Sequence, residues 1–148
     1  MKYDALVYNG SWNINIEQTD MPQIDDYGIL VEIQATGICG TDMGIIMGKY
    51  SATPKVILGH ESSGIVKQVG SKVSKFKEND RVYIDPTFYC GECFMCRTER
   101  PNHCELKTVT ETGVSAHGTN TKFYVTTERF LYHLPEHVSF EGATLAEP

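Results

Sequence analysis

Four cysteines in one short run, Cys90-x2-Cys93-x2-Cys96-x7-Cys104, constrain this chain more than any other feature. Four thiolates so close together enclose one zinc ion tetrahedrally, with Zn–S bonds of about 2.3 Å. All four corners are then filled by protein, and no position is left for water or substrate. Such a site is structural: it pins a loop and performs no chemistry. Disulfide pairing is the competing assignment. The opening Met1-Lys2-Tyr3-Asp4 lacks the apolar stretch of a secretory signal, so a cytoplasmic, reducing setting is expected. In that setting closely spaced cysteines mark metal, and zinc is the stronger reading.

The fifth cysteine stands alone, far upstream, in Gly37-Ile38-Cys39-Gly40-Thr41-Asp42. A lone cysteine is usually a small buried apolar residue. This one is followed by a second group of potential ligands, Gly59-His60-Glu61. A thiolate, an imidazole and a carboxylate together hold zinc while leaving one position open, which is what a catalytic site requires. His60 alone would read as a core histidine; beside Cys39 and Glu61 the ligand reading is stronger. Glu61 remains open between resting ligand and spectator.

The 148 residues suffice for one domain with a real core, and 41% apolar against 22% charged residues excludes disorder. A net charge of −6 argues against nucleic acid, and no apolar run approaches the roughly 20 residues that span a bilayer. Residues 2–8, 13–19, 29–35, 62–69, 81–85, 122–126 and 130–134 read as short strands between turns. A mainly β, partly closed barrel or sandwich follows.

Helical signals are few. Thr41 and Asp42 are candidate caps for a helix over 43–47, and Ser139 for one over 140–145. Asn79 suits a turn with positive φ. Residues 90–104 carry too many ligands and too little periodicity for a regular element, and form a lobe held by metal.

These residues resemble the zinc-dependent medium-chain dehydrogenase family. The resemblance is carried by Gly37-Ile38-Cys39-Gly40-Thr41-Asp42, by Gly59-His60-Glu61-Ser62-Ser63-Gly64 and by the four-cysteine lobe. Asp80-Arg81-Val82 and the closing Ala146-Glu147-Pro148 fit it too. It implies a GroES-like, partly open β-barrel spanning 1–148, with a few short helices and a zinc-held lobe over 90–104. The Glu147-Pro148 pair resembles the polyol branch, that of sorbitol and galactitol-phosphate dehydrogenases. In that branch Cys39, His60 and a glutamate, either Glu61 or Glu147, hold the catalytic zinc, and Cys90, Cys93, Cys96 and Cys104 hold the structural one. Two zinc ions per chain are therefore implied. Thr41 would pass on the substrate's hydroxyl proton, Asp42 would steady the ring of His60, and Glu61 could move onto the metal.

The chain departs from the family at Gly44, where members often carry a proton-relay histidine, and at Asn79, where glycine is usual. His103 could compete for the structural zinc, though the family pattern favours Cys104. His117, His133 and His137 are assigned no metal role. Tyr50, Phe88 and Tyr89 are candidates for the substrate cleft, with core packing as the alternative.

The resemblance implies oxidation of a polyol or secondary alcohol to a ketone by hydride transfer to NAD or NADP. The sequence holds no Gly-x-Gly-x-x-Gly loop for the dinucleotide. A separate nucleotide-binding domain is therefore expected, without which these residues would not turn over. A parent homodimer or homotetramer follows from the family, with no nucleic-acid or membrane partner. The alternative is a stand-alone zinc-binding GroES-like module without dehydrogenase activity.

Overall fold

Residues 2–147 are described by the computed structural model; Met1 and the Pro148 of the closing motif lie outside the described residues. A hairpin opens the chain, β1 (Lys2–Gly10) against β2 (Asn13–Asp20). Then follow β3 (Gly28–Thr36), α1 (Gly40–Ile46), β4 (Ser62–Val69) and β5 (Arg81–Ile84). After them come α2 (Phe94–Arg97), α3 (Lys107–Thr110), β6 (Phe123–Thr127), β7 (Leu131–His133) and α4 (Phe140–Thr144). The mainly β reading holds.

The main sheet is five-stranded and antiparallel throughout, in the order β6-β3-β4-β5-β7. It curls into a half-barrel. Two register shifts between β3 and β4, at Leu30/Val31 and Ile33/Ala35, add the local twist that curling needs. The hairpin closes part of the opening through isolated bridges, Ala5 with Thr121 and Val7 with Ile57.

Strand β3 is paired on both edges, and its first half, Ile29-Leu30-Val31, is buried on both faces. Ile29 and Val31 join Val66, Phe76, Val82, Ile84 and Leu131 in the principal core. Burying each of these large side chains contributes about 1.5–3 kcal/mol. A second cluster, Tyr8, Ile45, Val56 and Leu58, fastens α1 to the hairpin.

Arg81 explains why Asp80-Arg81-Val82 recurs in the resemblance. Its guanidinium donates to the carbonyls of Pro135 and Glu136 at 3.0 Å and of Val138 at 2.6 Å, and lies over the Phe140 ring. These contacts dock the closing segment, and with it α4, across β3, β4 and β5. The Ser63 hydroxyl donates to the Phe140 carbonyl at 2.7 Å and adds to the same anchor.

Some boundaries differ from expectation. The first helix starts at Gly40 rather than 43, and its N-cap is Cys39, not Thr41 or Asp42. The thiol accepts the Thr41 N–H and the Asp42 carboxylate accepts the Cys39 N–H, so a capping box is built on a cysteine. The expected strand 81–85 stops at Ile84, because Asp85 turns to accept the Thr87 N–H at 2.8 Å. The strand over 130–134 is shortened by a 3-10 turn at Glu128–Phe130. Inside the lobe, α2 and a 3-10 turn at Pro101–His103 form where no regular element was expected. Cys93 caps α2 through its sulfur, so the ligand pattern itself nucleates the turn. Asn79 takes φ 72°, as the turn reading requires. Among the described residues no helix is long and apolar enough to cross a membrane.

Candidate metal centres

Cys39 follows the end of β3, and His60-Glu61 precedes the start of β4. Those strands are antiparallel neighbours, with Thr36 opposite Ser62 and Ala35 opposite Ser63. The two ligand segments therefore emerge at one end of the sheet. The Gly37 N–H bonds the Glu61 carbonyl at 2.7 Å and locks them side by side. One thiol sulfur, one imidazole nitrogen and one carboxylate oxygen from Cys39, His60 and Glu61 lie within 4.8 Å of one another.

Two glycines are required by this geometry. A Cβ at Gly37 would collide with the Glu61 carboxylate, so glycine makes room for the side chain beside it. Gly59 sits at φ 94°, and a Cβ there would strike Asn120, a conformation and a space that exclude other residues.

Asp42 holds both segments at once. It is 2% exposed; one oxygen accepts the Cys39 N–H at 2.9 Å and the other the Gly59 N–H at 3.2 Å. Its carboxylate stands 3.9 Å from His60 Nδ1, too far for a hydrogen bond. The expected ring contact is thus not a hydrogen bond here; the carboxylate is turned toward the two backbone amides instead.

These residues fit a divalent metal. His60 Nδ1 is buried with no hydrogen-bond partner, and the buried Glu61 carboxylate has no ion pair among the described residues. A buried carboxylate beside a thiol lacks a compensating charge, and a cation bound between them supplies it. A cleft of about 140 Å³ opens next to the cluster, lined by Thr41, His60, Phe88, Lys107, Glu111 and Glu147 among others. Glu147 therefore lies on the same cleft as His60 but outside the group of three converging ligands. The charges near the cleft reach Tyr83, whose phenol is pushed up to about 12, first by burial and then by Asp85, Glu147, Tyr132 and Glu61.

The second cluster is local. The sulfurs of Cys90, Cys93, Cys96 and Cys104 lie within 4.8 Å of one another, with Cys93–Cys96 at 3.4 Å and Cys90–Cys96 at 3.9 Å. A tetrahedron with Zn–S bonds of about 2.3 Å has edges of about 3.8 Å, so the sulfurs stand close to the spacing zinc imposes. Backbone N–H groups point at them: Cys90 at the Cys104 sulfur (3.3 Å), Cys93 at the Cys90 sulfur (3.3 Å) and Cys96 at the Cys93 sulfur (3.5 Å).

Those amides prepare the sulfurs for ionisation unequally. The Glu105 and Cys96 backbone groups bring the Cys93 thiol down to about 6, and the Cys90 backbone lowers Cys104. Cys96 is pushed up to about 12, by desolvation first and then by the neighbouring sulfurs. Four thiolates cannot share this space without a cation, and zinc is the ion whose charge and geometry match the donor set.

Of the cleft aromatics expected from sequence, Phe88 lines the cleft. Tyr89 instead packs edge-on against Phe130, with the Arg129 guanidinium over its ring. Tyr50 covers Gly44, where any side chain would strike its ring. His117 accepts the Ile57 N–H through Nδ1, and His133 stacks on Phe76. Sequence reasoning missed Lys107 and Glu111, which carry no motif, and Arg129. The Arg129 guanidinium donates to the carbonyls of Tyr89 (3.4 Å) and Cys90 (3.2 Å) and so ties the lobe to the barrel.

A family model described as the alcohol dehydrogenase GroES-like domain matches residues 25–136. The chain is 38% identical over 130 residues to a D-arabitol-phosphate dehydrogenase of Enterococcus avium, covering 86% of this chain and 36% of that protein. It is 34% identical over 149 residues to the D-xylulose reductase A of Aspergillus oryzae, covering 97% of this chain and 41% of that protein. Its fold superposes with a TM-score of 0.91 and 28% identity on a candidate zinc-binding dehydrogenase of Sinorhizobium meliloti solved with NADP, covering all of this chain (100%) and 43% of that one. Galactitol-1-phosphate dehydrogenase of Escherichia coli, at 23% identity and a TM-score of 0.87 over 96% of this chain and 41% of that one, shares the fold. The chain spans less than half the length of each of these relatives.

Proposed function

From the premise that this chain belongs to the alcohol dehydrogenase GroES-like family, we propose that it is the catalytic domain of a zinc-dependent polyol or secondary-alcohol dehydrogenase. The reaction is oxidation of a carbinol to a ketone, with the hydride passing to NAD or NADP. The convergence of Cys39, His60 and Glu61 beside a polar cleft carries this reading. Relatives that act on D-arabitol phosphate and D-xylulose by name support the polyol class.

Zinc bound at that cluster supplies Lewis acidity, which lowers the pKa of a coordinated hydroxyl. The residues of the chain do the rest. Cys39 and His60 would hold the ion, with Glu61 as the third ligand and Glu147, on the same cleft, as its alternate. Thr41 takes the substrate's hydroxyl proton and hands it toward solvent. Its backbone N–H bonds the Cys39 sulfur, which holds this residue's main chain beside the thiol. Asp42 keeps the two ligand segments in register. Phe88 forms an apolar wall of the cleft.

The lobe takes a second zinc and serves stability alone. NAD(P) is assigned to a separate doubly wound domain, and residues 1–148 to the catalytic one. The decisive experiment is to measure zinc per chain and NAD(P)-dependent oxidation of a polyol panel in parallel. Two equivalents of zinc with ketone formation supports the reading. Metal without any oxidation in a full-length protein that binds NAD(P) would sink it.

A further inference from the structure

The cleft beside Cys39, His60 and Glu61 carries two charged side chains that the dehydrogenase reading leaves without a task. Lys107 and Glu111 both line it, the first on α3 and the second just after that helix. Glu111 caps α3 in extended conformation, so the two residues reach the cleft from the helix and from the turn that follows it. Neither makes an ion pair among the described residues.

Their position is fixed by backbone. The Glu111 carbonyl accepts the N–H groups of Val114, Ser115 and Ala116, and its own N–H donates to the Ser115 hydroxyl at 2.9 Å. Next to it, the Thr112 hydroxyl donates to the Pro86 carbonyl at 3.1 Å, fastening this turn to another wall of the same cleft. Glu111 therefore leaves a rigid turn rather than a loose loop.

The charge balance of the cleft follows. A zinc dication is offset by its own ligands, the Cys39 thiolate and the Glu61 carboxylate. With Glu61 on the metal, what remains in the cleft is Glu111 and Glu147 against Lys107, a surplus of negative charge. A phosphate ester carries close to two negative charges at neutral pH and would be repelled there. An uncharged polyol instead offers hydroxyl donors to the carboxylates and acceptors to the ammonium.

We propose that Lys107 and Glu111 are specificity-determining residues that select an uncharged polyol over its phosphate ester. This rests on the dehydrogenase reading and narrows its substrate class. It sets the chain's preference with relatives named for a free sugar rather than with those named for a phosphate.

The test uses the zinc-loaded full-length protein with saturating nicotinamide cofactor. Tetritols, pentitols and hexitols are each paired with their monophosphates, and kcat/KM is measured for both members. The free polyol is expected to be favoured by about tenfold or more, and Glu111→Lys to shrink or reverse that ratio by about tenfold. Glu111→Gln should fall between the two. Because Glu111 is exposed, both variants should fold, and unchanged zinc content checks that they do. A wild-type preference for phosphate esters, or a ratio indifferent to Glu111→Lys, overturns the inference and leaves the dehydrogenase reading standing. Oxidation of no member of any pair overturns both.

Discussion

The two candidate metal clusters of this domain are built in opposite ways. The four-cysteine lobe takes every ligand from one contiguous stretch, and neither α2 nor the 3-10 turn within it has a buried residue. The Cys39, His60 and Glu61 cluster takes its ligands from two segments brought together by strand pairing, above a core of fully buried Ile45 and Leu58. In the first case metal binding stands in for a core. In the second the fold exists already and metal is added to it. A site that organises its own structure should therefore be tight and inert, and a site presented by a preformed sheet should be open and exchangeable.

Cys93→Ser against Cys39→Ser gives the widest separation. The lobe has little else to hold it, so losing its metal should cost about 3 kcal/mol or more and lower the melting temperature by about 10 °C. Cys39→Ser should empty only its own site, with a melting shift of a few degrees, as scanning calorimetry and metal analysis would record. Equal unfolding by both substitutions would abolish the distinction. A mild chelator should likewise strip the zinc at Cys39 while leaving that of the lobe.

Asp42→Asn sharpens the comparison on the preformed side. One carboxylate organises both ligand segments there, so zinc affinity at Cys39–His60–Glu61 should fall by about 10–100-fold. Competition with a fluorescent chelator would report it, and lobe occupancy should not change.

Arg129→Ala probes the lobe's attachment. Removing the two hydrogen bonds to the Tyr89 and Cys90 carbonyls should cost about 1 kcal/mol in denaturant melts. It should also speed metal loss from the lobe without affecting the other cluster.

The smallest effect concerns reactivity once the metal is removed. With its thiol lowered to about 6, Cys93 is mostly thiolate at pH 7 and should be alkylated first. Its rate should fall as the pH drops through about 6, because the thiol form then dominates. Cys96, raised to about 12, should stay unmodified at either pH. Mass spectrometry of iodoacetamide-treated peptides would resolve the two, and equal labelling would show that the lobe loses its geometry together with its metal.

Much of this was legible in the residues. The lobe declared itself through cysteine spacing, since ligands this close need no tertiary partner to meet. Strands such as 62–69 were readable because β-branched residues and bounding glycines act locally. Their ends were less so: Asp85 left its strand to bond the Thr87 N–H, and a 3-10 turn displaced the start of β7. Both outcomes depend on partners a window of sequence does not contain.

The sequence by itself determined which groups can bind metal and that a mainly β barrel would carry them. Ligand chemistry and strand propensity belong to residue types and short spacings. The tertiary structure alone decided which groups meet. Pairing of β3 with β4 set Cys39 beside Glu61, two backbone amides drew Asp42 away from the His60 ring, and Arg81 docked the segment that brings Glu147 to the cleft. Lys107 and Glu111 entered that cleft with no motif to announce them, because a long-range juxtaposition of charges leaves no local trace in a chain.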